Sequence, residues 1–89
     1  MNQERWTTLS CNQQIAMIGS ELMRAHVWQT KDQEKFSSAL ERSLELVDAT
    51  LADKKWLQNS RMLLGLRDHI SQFYIHQRTD DIITLYHAL

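Results

Sequence analysis

The side chains of this sequence suited to metal binding or nucleophilic chemistry are four histidines and a single cysteine. His69 and His76 fall on one face of a helix, but seven residues of helical rise separate them by roughly 10.5 Å. A helical metal pair needs the i, i+4 spacing, and His26 and His87 have no local partner. Cys11 lies on an apolar stripe, where a free cysteine is usually a small buried hydrophobe. The sequence therefore predicts no metal site, no catalytic residue and no cofactor.

Cations in the third long segment suggest a different chemistry. Arg61, Arg67 and His69 form a candidate anion or nucleotide site, with His69 as proton donor. Such a site would need a concave pocket to hold its ligand. The chain has no glycine-rich phosphate loop and none of the motifs CxxC, HExxH or GxSxG, so no familiar catalytic motif accompanies these cations.

Five charged side chains, Arg67 among them, fall at the edges of predicted apolar faces, where an unpaired charge is costly to desolvate. They are Glu21, Arg24, Arg42, Asp48 and Arg67. We interpret them as an interhelical salt-bridge network, with Glu21 or Asp48 paired to Arg42 or Arg67. Pairing of both Arg61 and Arg67 with these acids would remove the anion site.

Helix start signals divide the chain into three long segments and one short one. Ser10 and Gln13 have capping-box spacing, Thr30 or Asp32 can cap the second segment, and Asp53 can cap the third. The predicted helices span residues 11–29, 32–52, 54–77 and 80–88. Short connections force consecutive helices to run antiparallel. We therefore predict an all-α fold, an up-down antiparallel bundle of three long helices plus a short C-terminal helix, in a single domain over residues 1–89.

The first helix is apolar nearly all round. Its core stripe consists of Cys11, Ile15, Ile18, Leu22 and Ala25, while Ala16, Met23 and Val27 lie nearly opposite and Trp28 lies on a flank. Such a helix is normally buried on more than one side. Either the C-terminal helix and the N-terminal arm with Trp6 cover the second face, or another subunit does. We expect a homodimer that uses this second face or a second stripe of the third helix, formed by Leu57, Leu64 and Ile75.

Size and composition favour association. With 89 residues and 43% apolar content, the chain has the composition of one globular domain, but a chain this short buries only roughly 60–65% of its unfolded surface. The formal net charge is −1: residues 1–53 carry five basic and eight acidic side chains, and residues 54–78 carry five basic side chains and one acidic one. A near-neutral chain is poorly suited to binding nucleic acid by charge alone.

The expected cellular compartment follows from the lack of a signal peptide, a membrane span and a disulfide in the sequence. Its start has no apolar run of the length a signal peptide requires, and no segment approaches the ~18 apolar residues of a membrane span. One cysteine cannot form an intrachain disulfide, which fits a reducing setting. We therefore expect a cytoplasmic protein without a membrane partner.

Three phrases resemble a family of small bacterial and archaeal helical proteins to which no activity is assigned: "IGSELMRAHVW", "ALERSLELVDATLAD" and "LLGLRDHISQFY". The resemblance covers about residues 6–74 and implies a compact helical domain. More distantly, the layout is similar to the HEPN helical domains that accompany minimal nucleotidyltransferases, some of which are dimeric RNases. That group's motif has four to six residues between Arg and His, whereas seven separate Arg61 from His69, so the motif is absent here.

Two functions from different classes follow. The first is a non-enzymatic helical interaction module that acts as a homodimer or as a partner-binding subunit, and it rests on the surplus apolar faces. The alternative is a HEPN-like nucleotide- or RNA-binding domain that uses Arg61, Arg67 and His69 on phosphate. A third possibility, a small-ligand carrier, has no support beyond the methionines Met17, Met23 and Met62, and such residues usually belong to a core.

Overall fold

The structure, a computed structural model, describes residues 2–89, which form helices joined by short connections with no strand in that range. The helices are α1 (Gln3–Thr7), α2 (Cys11–Trp28), α3 (Gln33–Leu51), α4 (Arg61–Tyr74) and α5 (Ile83–His87). A 3₁₀ turn, Lys54–Trp56, lies between α3 and α4. The predicted all-α class, with three long helices packed together, is confirmed.

The two longest helices begin at caps that the sequence predicts. The Gln13 backbone N–H donates to Ser10 Oγ at 3.1 Å and the Ser10 N–H donates to Gln13 Oε1 at 2.9 Å, so the capping box is complete. Asp32, rather than Thr30, caps α3 by accepting the Lys35 N–H at 3.1 Å. The predicted bounds therefore match α2 and α3 to within one residue.

The third long helix is shorter than predicted. A helix was expected from residue 54, whereas α4 starts at Arg61. Asp53 is a cap, but of the short 3₁₀ turn. Trp56, at the end of that turn, is buried and donates its indole N–H to Gln14 Oε1 at 2.7 Å. Because this bond holds the turn against α2, the chain resumes a helical path only at Arg61.

The end of α4 is a Schellman motif. The Gln77 N–H donates to the Gln72 carbonyl at 2.9 Å, and the His76 N–H donates to the Phe73 carbonyl at 3.2 Å. His76 has φ 62°, the left-handed conformation in which glycine is the usual residue. This turn ends α4 at Tyr74, three residues before the predicted end.

Two short helices close the bundle, and only the second was predicted. α1 buries Trp6, whose indole N–H donates to Thr50 Oγ1 at 3.1 Å. Its five residues are too few for periodicity to reveal a helix. α5 packs against α2 and starts at Ile83 rather than residue 80, because Asp81 lies before the helix and accepts the Ile83 N–H at 3.0 Å.

The core lies along α3, which contacts both α2 and α4. The largest fully buried apolar side chains are Ile18, Leu22, Leu40, Val47, Leu63, Ile70, Phe73 and Ile82. Most of them belong to the predicted core stripes. Helical spacing places Met62 and Tyr74 on the same broad apolar face of the third segment as Leu63 and Ile70, but they are 41% and 37% exposed. Tyr74 instead donates its hydroxyl to Glu41 Oε1 at 2.6 Å at the surface, which raises the pKa of the phenol.

Candidate functional site

The three most exposed large apolar side chains of residues 2–89 lie along the outer side of α4 and the turn before it. Leu57 is 78% exposed, Ile75 57% and Leu64 55%. They are the residues of the predicted second stripe, although Leu57 and Ile75 lie just outside α4. α4 turns its opposite side, with Leu63 and Ile70, into the core, and more than half of each stripe side chain is left exposed. A stripe this apolar and this exposed is a feature of interaction surfaces.

Opposite charges flank the middle of this stripe. We call Arg61, Leu64, Gly65, Asp68 and Ile75 the α4 outer face. At about 100° per residue, Arg61 and Asp68 point within roughly 20° of each other, two turns apart, with Leu64 between them. Within residues 2–89 Arg61 makes no hydrogen bond or ion pair, and Asp68 accepts only a 3.5 Å contact from Gln72 Nε2. Both charges are therefore available to a partner.

Gly65 lies beside Leu64 on the α4 outer face. A Cβ built on Gly65 would meet no atom within 4 Å, so nothing within residues 2–89 requires a glycine there. Glycine costs a helix interior about 1 kcal/mol relative to alanine. The position allows another backbone to approach α4 closely.

The structure does not bring the predicted anion site together. Arg67 Nε donates to Asp48 Oδ1 on α3 at 2.6 Å, and this bond raises the pKa of the guanidinium. His69 Nδ1 lies 3.1 Å from Arg78 Nη1. Arg61 and His69 line a shallow groove against α5 that is almost wholly apolar. Arg67 thus points toward Asp48 on α3, while Arg61 and His69 share the groove; because only one of the two arginines is paired with an acid, the anion site stays a prediction.

The predicted salt-bridge network is two separate pairs. Asp48 and Arg67 form one pair, which joins α3 to α4. Glu21 and Arg24 form the other at 3.7 Å, and it lies within α2 rather than between helices. Arg42 makes no hydrogen bond or ion pair within residues 2–89. The interhelical pair Asp48–Arg67 is one of the predicted connections, whereas Glu21 is buried and pairs within its own helix, so the two pairs are not joined within residues 2–89.

The predicted interface on α2 is partly covered by the chain itself. α5 crosses α2 at Gly19, where an added Cβ would lie 3.3 Å from the side chains of Tyr86 and Leu89. That close approach explains this glycine. Ala16 and Met23 line the open groove of about 780 Å³ beside this crossing. Val27 is 44% exposed, and Trp28 is half-buried with the Lys35 ammonium 4.1 Å from its ring centroid. Of the two anticipated coverings of this face, α5 packs on α2, whereas α1 with Trp6 packs against α3.

A buried polar cluster that the sequence did not predict lies at one end of the bundle and consists of Trp6, Gln14, Thr50, Asp53 and Trp56. Gln14 Nε2 donates to Asp53 Oδ2 at 2.9 Å and to the Trp6 carbonyl at 3.0 Å. The hydrogen bond from Lys55 Nζ is the main cause of the lowered pKa of Asp53. The only signal in the sequence was that Gln14 stands next to the apolar stripe of α2. This cluster is satisfied internally and has a structural role.

A second missed contact holds the C-terminal segment. His26 Nδ1 lies 2.8 Å from Asp81 Oδ1. Gln29 binds the same segment with both ends of its amide, donating to the Asp80 carbonyl at 2.7 Å and accepting the Ile82 N–H at 2.8 Å. These contacts fix α5 against the end of α2.

Residues 2–89 give little support to a metal site or a reactive cysteine. In residues 2–89 no three His, Cys, Asp or Glu side chains are grouped so that they could hold a metal ion. Cys11 is half-buried and packs against the core. No helix of that range is long and apolar enough to cross a lipid bilayer.

Comparison of the chain with protein-family models, with curated proteins and with solved structures gives no match in any of the three. The resemblances noted in the sequence therefore stay predictions. Function has to be inferred from the side chains and their arrangement.

Proposed function

We propose that this chain is a non-enzymatic helical interaction module that forms a homodimer through the α4 outer face. Its three long helices would run up-down and antiparallel. The order of the contacts supports that arrangement: Trp28, at the end of α2, meets Lys35 at the start of α3, and Asp48, late in α3, meets Arg67 on α4.

The observation that carries the proposal is the pattern Arg61, Leu64, Gly65, Asp68 on exposed helix. Two copies of α4 packed antiparallel, with the two-fold axis between Leu64 and Gly65, place each Arg61 opposite the partner's Asp68. The same register sets each Leu64 against the partner's Gly65. A two-fold interface must be complementary to itself, and this face satisfies that requirement in both charge and shape.

The expected dimer is small and of moderate affinity. α4 has 14 residues and is therefore about 21 Å long, so a contact along it falls at the low end of specific interfaces. Leu57 and Ile75 extend the apolar area at the two ends. Burying them would add to the thin stability margin of a chain of 89 residues.

The alternative of nucleotide or RNA binding on α4 has less support. It needs Arg67, which Asp48 already neutralises. It also needs a polar pocket, whereas the groove that Arg61 shares with His69 is apolar.

The test is a charge swap within the proposed interface. Solution mass is measured by light scattering coupled to gel filtration, across a protein concentration series, for wild type, Arg61→Asp, Asp68→Arg and the double variant. Each single substitution sets like charges opposite each other and should weaken the dimer about tenfold or more. The double variant restores opposite charges and should recover the dimer. Lys31→Asp makes the same change of charge at an exposed position outside the face and should have no effect.

A wild type that stays monomeric at every concentration contradicts the proposal. So does a dimer that tolerates both single substitutions. Should that dimer instead be lost in Val27→Glu, the interface lies on the second face of α2.

A further inference from the structure

A polar groove of about 500 Å³ runs between α2 and α3, on a different side of the bundle from the α4 outer face. Its walls are Glu21, Arg24 and Trp28 from α2 and Lys35, Ser38, Ala39 and Arg42 from α3. Three cations and one carboxylate therefore share a small space. The groove has a net charge of about +2 from side chains alone, which favours an anionic occupant.

Glu21 is the unusual member of the groove. The residue is only 9% exposed, and its Oε2 is fully buried without a hydrogen-bond partner in residues 2–89. The nearest cation, Arg24 Nη1, is 3.7 Å from that oxygen, beyond hydrogen-bonding distance. Buried carboxylate oxygens are rarely left without a donor because the lost hydration is not replaced. Glu21 therefore lines the groove with a carboxylate that accepts no hydrogen bond within residues 2–89, and the exposed part of its side chain, not the buried Oε2, faces the groove.

The cations at the rim are accessible to an anion, although Arg24 already pairs with Glu21 at 3.7 Å. Arg42 makes no hydrogen bond or ion pair within residues 2–89, and the Arg24 side chain is 64% exposed. Guanidinium groups bind oxyanions through paired N–H donors, and such charge-assisted bonds are stronger than neutral ones. Lys35 lies over Trp28 and adds a third positive charge beside them.

The Glu21 carboxylate needs a hydrogen-bond donor and the positively charged rim needs an anion, and a ligand has to meet both requirements. A bare cation could donate to Glu21 but would be repelled by the three positive side chains. A fully ionised anion such as sulfate would satisfy the rim but would place an acceptor against the Glu21 carboxylate, which is itself an acceptor. We infer that this groove binds a protonated phosphate group, free or as a monoester, whose P–O–H donates to Glu21 while its other oxygens accept from Arg24 and Arg42. A phosphate monoester has its second pKa near 6, so the singly protonated form is abundant at mildly acidic pH.

Phosphate and sulfate have the same shape and differ in the proton, which makes them a matched pair of probes. Each is titrated at pH 6 into the full chain, and binding is followed by amide chemical shifts and by calorimetry. We expect inorganic phosphate to move the amides of Glu21, Arg24 and Arg42 and to bind about tenfold more tightly than sulfate. A phosphate monoester such as phenyl phosphate, added in a further titration, shows whether the groove prefers a free or an esterified group.

Two variants assign the roles. Glu21→Gln supplies an amide donor in place of an acceptor, so discrimination between the two ions should disappear. Arg42→Ala should weaken both ions, while Lys54→Ala, an exposed cation outside the groove, should change neither. Circular dichroism checks that each variant is folded.

Equal affinity of the wild type for phosphate and sulfate would overturn the inference, as would no shift of the groove amides at about 10 mM phosphate. Repeating the titration with Arg61→Asp keeps the result separate from dimerisation. If phosphate binds to Arg61→Asp and no protein, wild type included, forms a dimer, the phosphate site in the groove is supported and the proposed dimer is contradicted.

Discussion

The indole N–H of Trp56 donates to Oε1 of Gln14 at 2.7 Å, across 42 residues of sequence. The Gln14 amide donates in turn to Asp53 and to the backbone of α1. One neutral side chain thus joins the first turn of α2, the turn after α3 and the N-terminal helix. Its removal would leave a buried donor and a buried carboxylate short of partners.

We therefore predict that Gln14→Leu lowers the free energy of unfolding by about 2 kcal/mol, because the indole N–H of Trp56 and the Asp53 carboxylate lose partners that water cannot replace. Urea unfolding measures the change. Asn12→Leu makes the same kind of substitution at an exposed position of the same turn and should change stability by less than about 0.5 kcal/mol. Similar losses in both variants would contradict the assigned role of Gln14.

The pH dependence of stability should include a contribution from Asp53. Lys55 and Gln14 hold its pKa below the ordinary value of an aspartate, so the folded state favours the ionised carboxylate. This stability is present above the unfolded pKa and is lost as pH falls through the folded pKa. Urea midpoints between about pH 2.5 and 7 should therefore drop below about pH 4. Asp53→Asn should flatten that drop without abolishing it, since the pKa values of Asp80 and Asp81 are lowered as well. An unchanged slope would show that Asp53 does not contribute.

His76 at the end of α4 offers a stabilising substitution. Its φ of 62° strains any side chain with a Cβ, whereas glycine adopts this conformation freely. We predict that His76→Gly raises the free energy of unfolding by about 0.5–1 kcal/mol, measured by urea unfolding. His76→Ala keeps the Cβ and should give no gain. A loss in His76→Gly would mean that the histidine side chain stabilises the turn.

The two glycines should respond differently to alanine. Gly65 has open space around it, so Gly65→Ala should stabilise the monomer by about 1 kcal/mol through helix propensity. At Gly19 the new methyl would lie 3.3 Å from Tyr86 and Leu89, and their displacement should cancel much of the same gain. Unfolding measured in the Arg61→Asp background separates this effect from dimerisation. An equal gain at both positions would contradict the close packing of α5 on α2.

Gly65→Ala also tests the proposed dimer. The same methyl that stabilises the monomer would lie where the partner's Leu64 is expected to pack. Solution mass against concentration should therefore show a weaker dimer, while Gly19→Ala leaves it unchanged. A dimer as tight as wild type would place the two-fold axis elsewhere on α4.

The long helices were predictable because local chemistry fixes them. Ser10 and Gln13 form the box that starts α2, Asp32 caps α3, and the spacing of Phe36, Leu40 and Val47 identifies the buried side. None of these signals depends on the rest of the fold. The bounds of α2 and α3 could accordingly be read from the residues alone.

The turn before α4 could not be predicted, because its conformation depends on Gln14 and Trp56, which are distant in sequence. The stripe of Leu57, Leu64 and Ile75 was predicted from helical spacing as an apolar stripe of the third segment, although Leu57 and Ile75 lie outside α4. The charged sites were not. Periodicity shows on which face of the helix Arg67 lies but does not show that its partner is Asp48. Periodicity also predicted Glu21 at the edge of an apolar face, whereas the structure buries it.

The three tryptophans occupy two ends of the molecule. Trp6 and Trp56 are buried within one polar cluster, and Trp28 lies half-buried under Lys35 at the far end of α2, about 21 Å from Gln14 along the helix axis. Their indoles therefore sit in unlike surroundings, two shielded and hydrogen-bonded and one beside an ammonium group. The intrinsic fluorescence of this protein thus carries a separate optical reporter for each end of the bundle. Emission from single-tryptophan variants would reveal whether the two ends open together or one before the other.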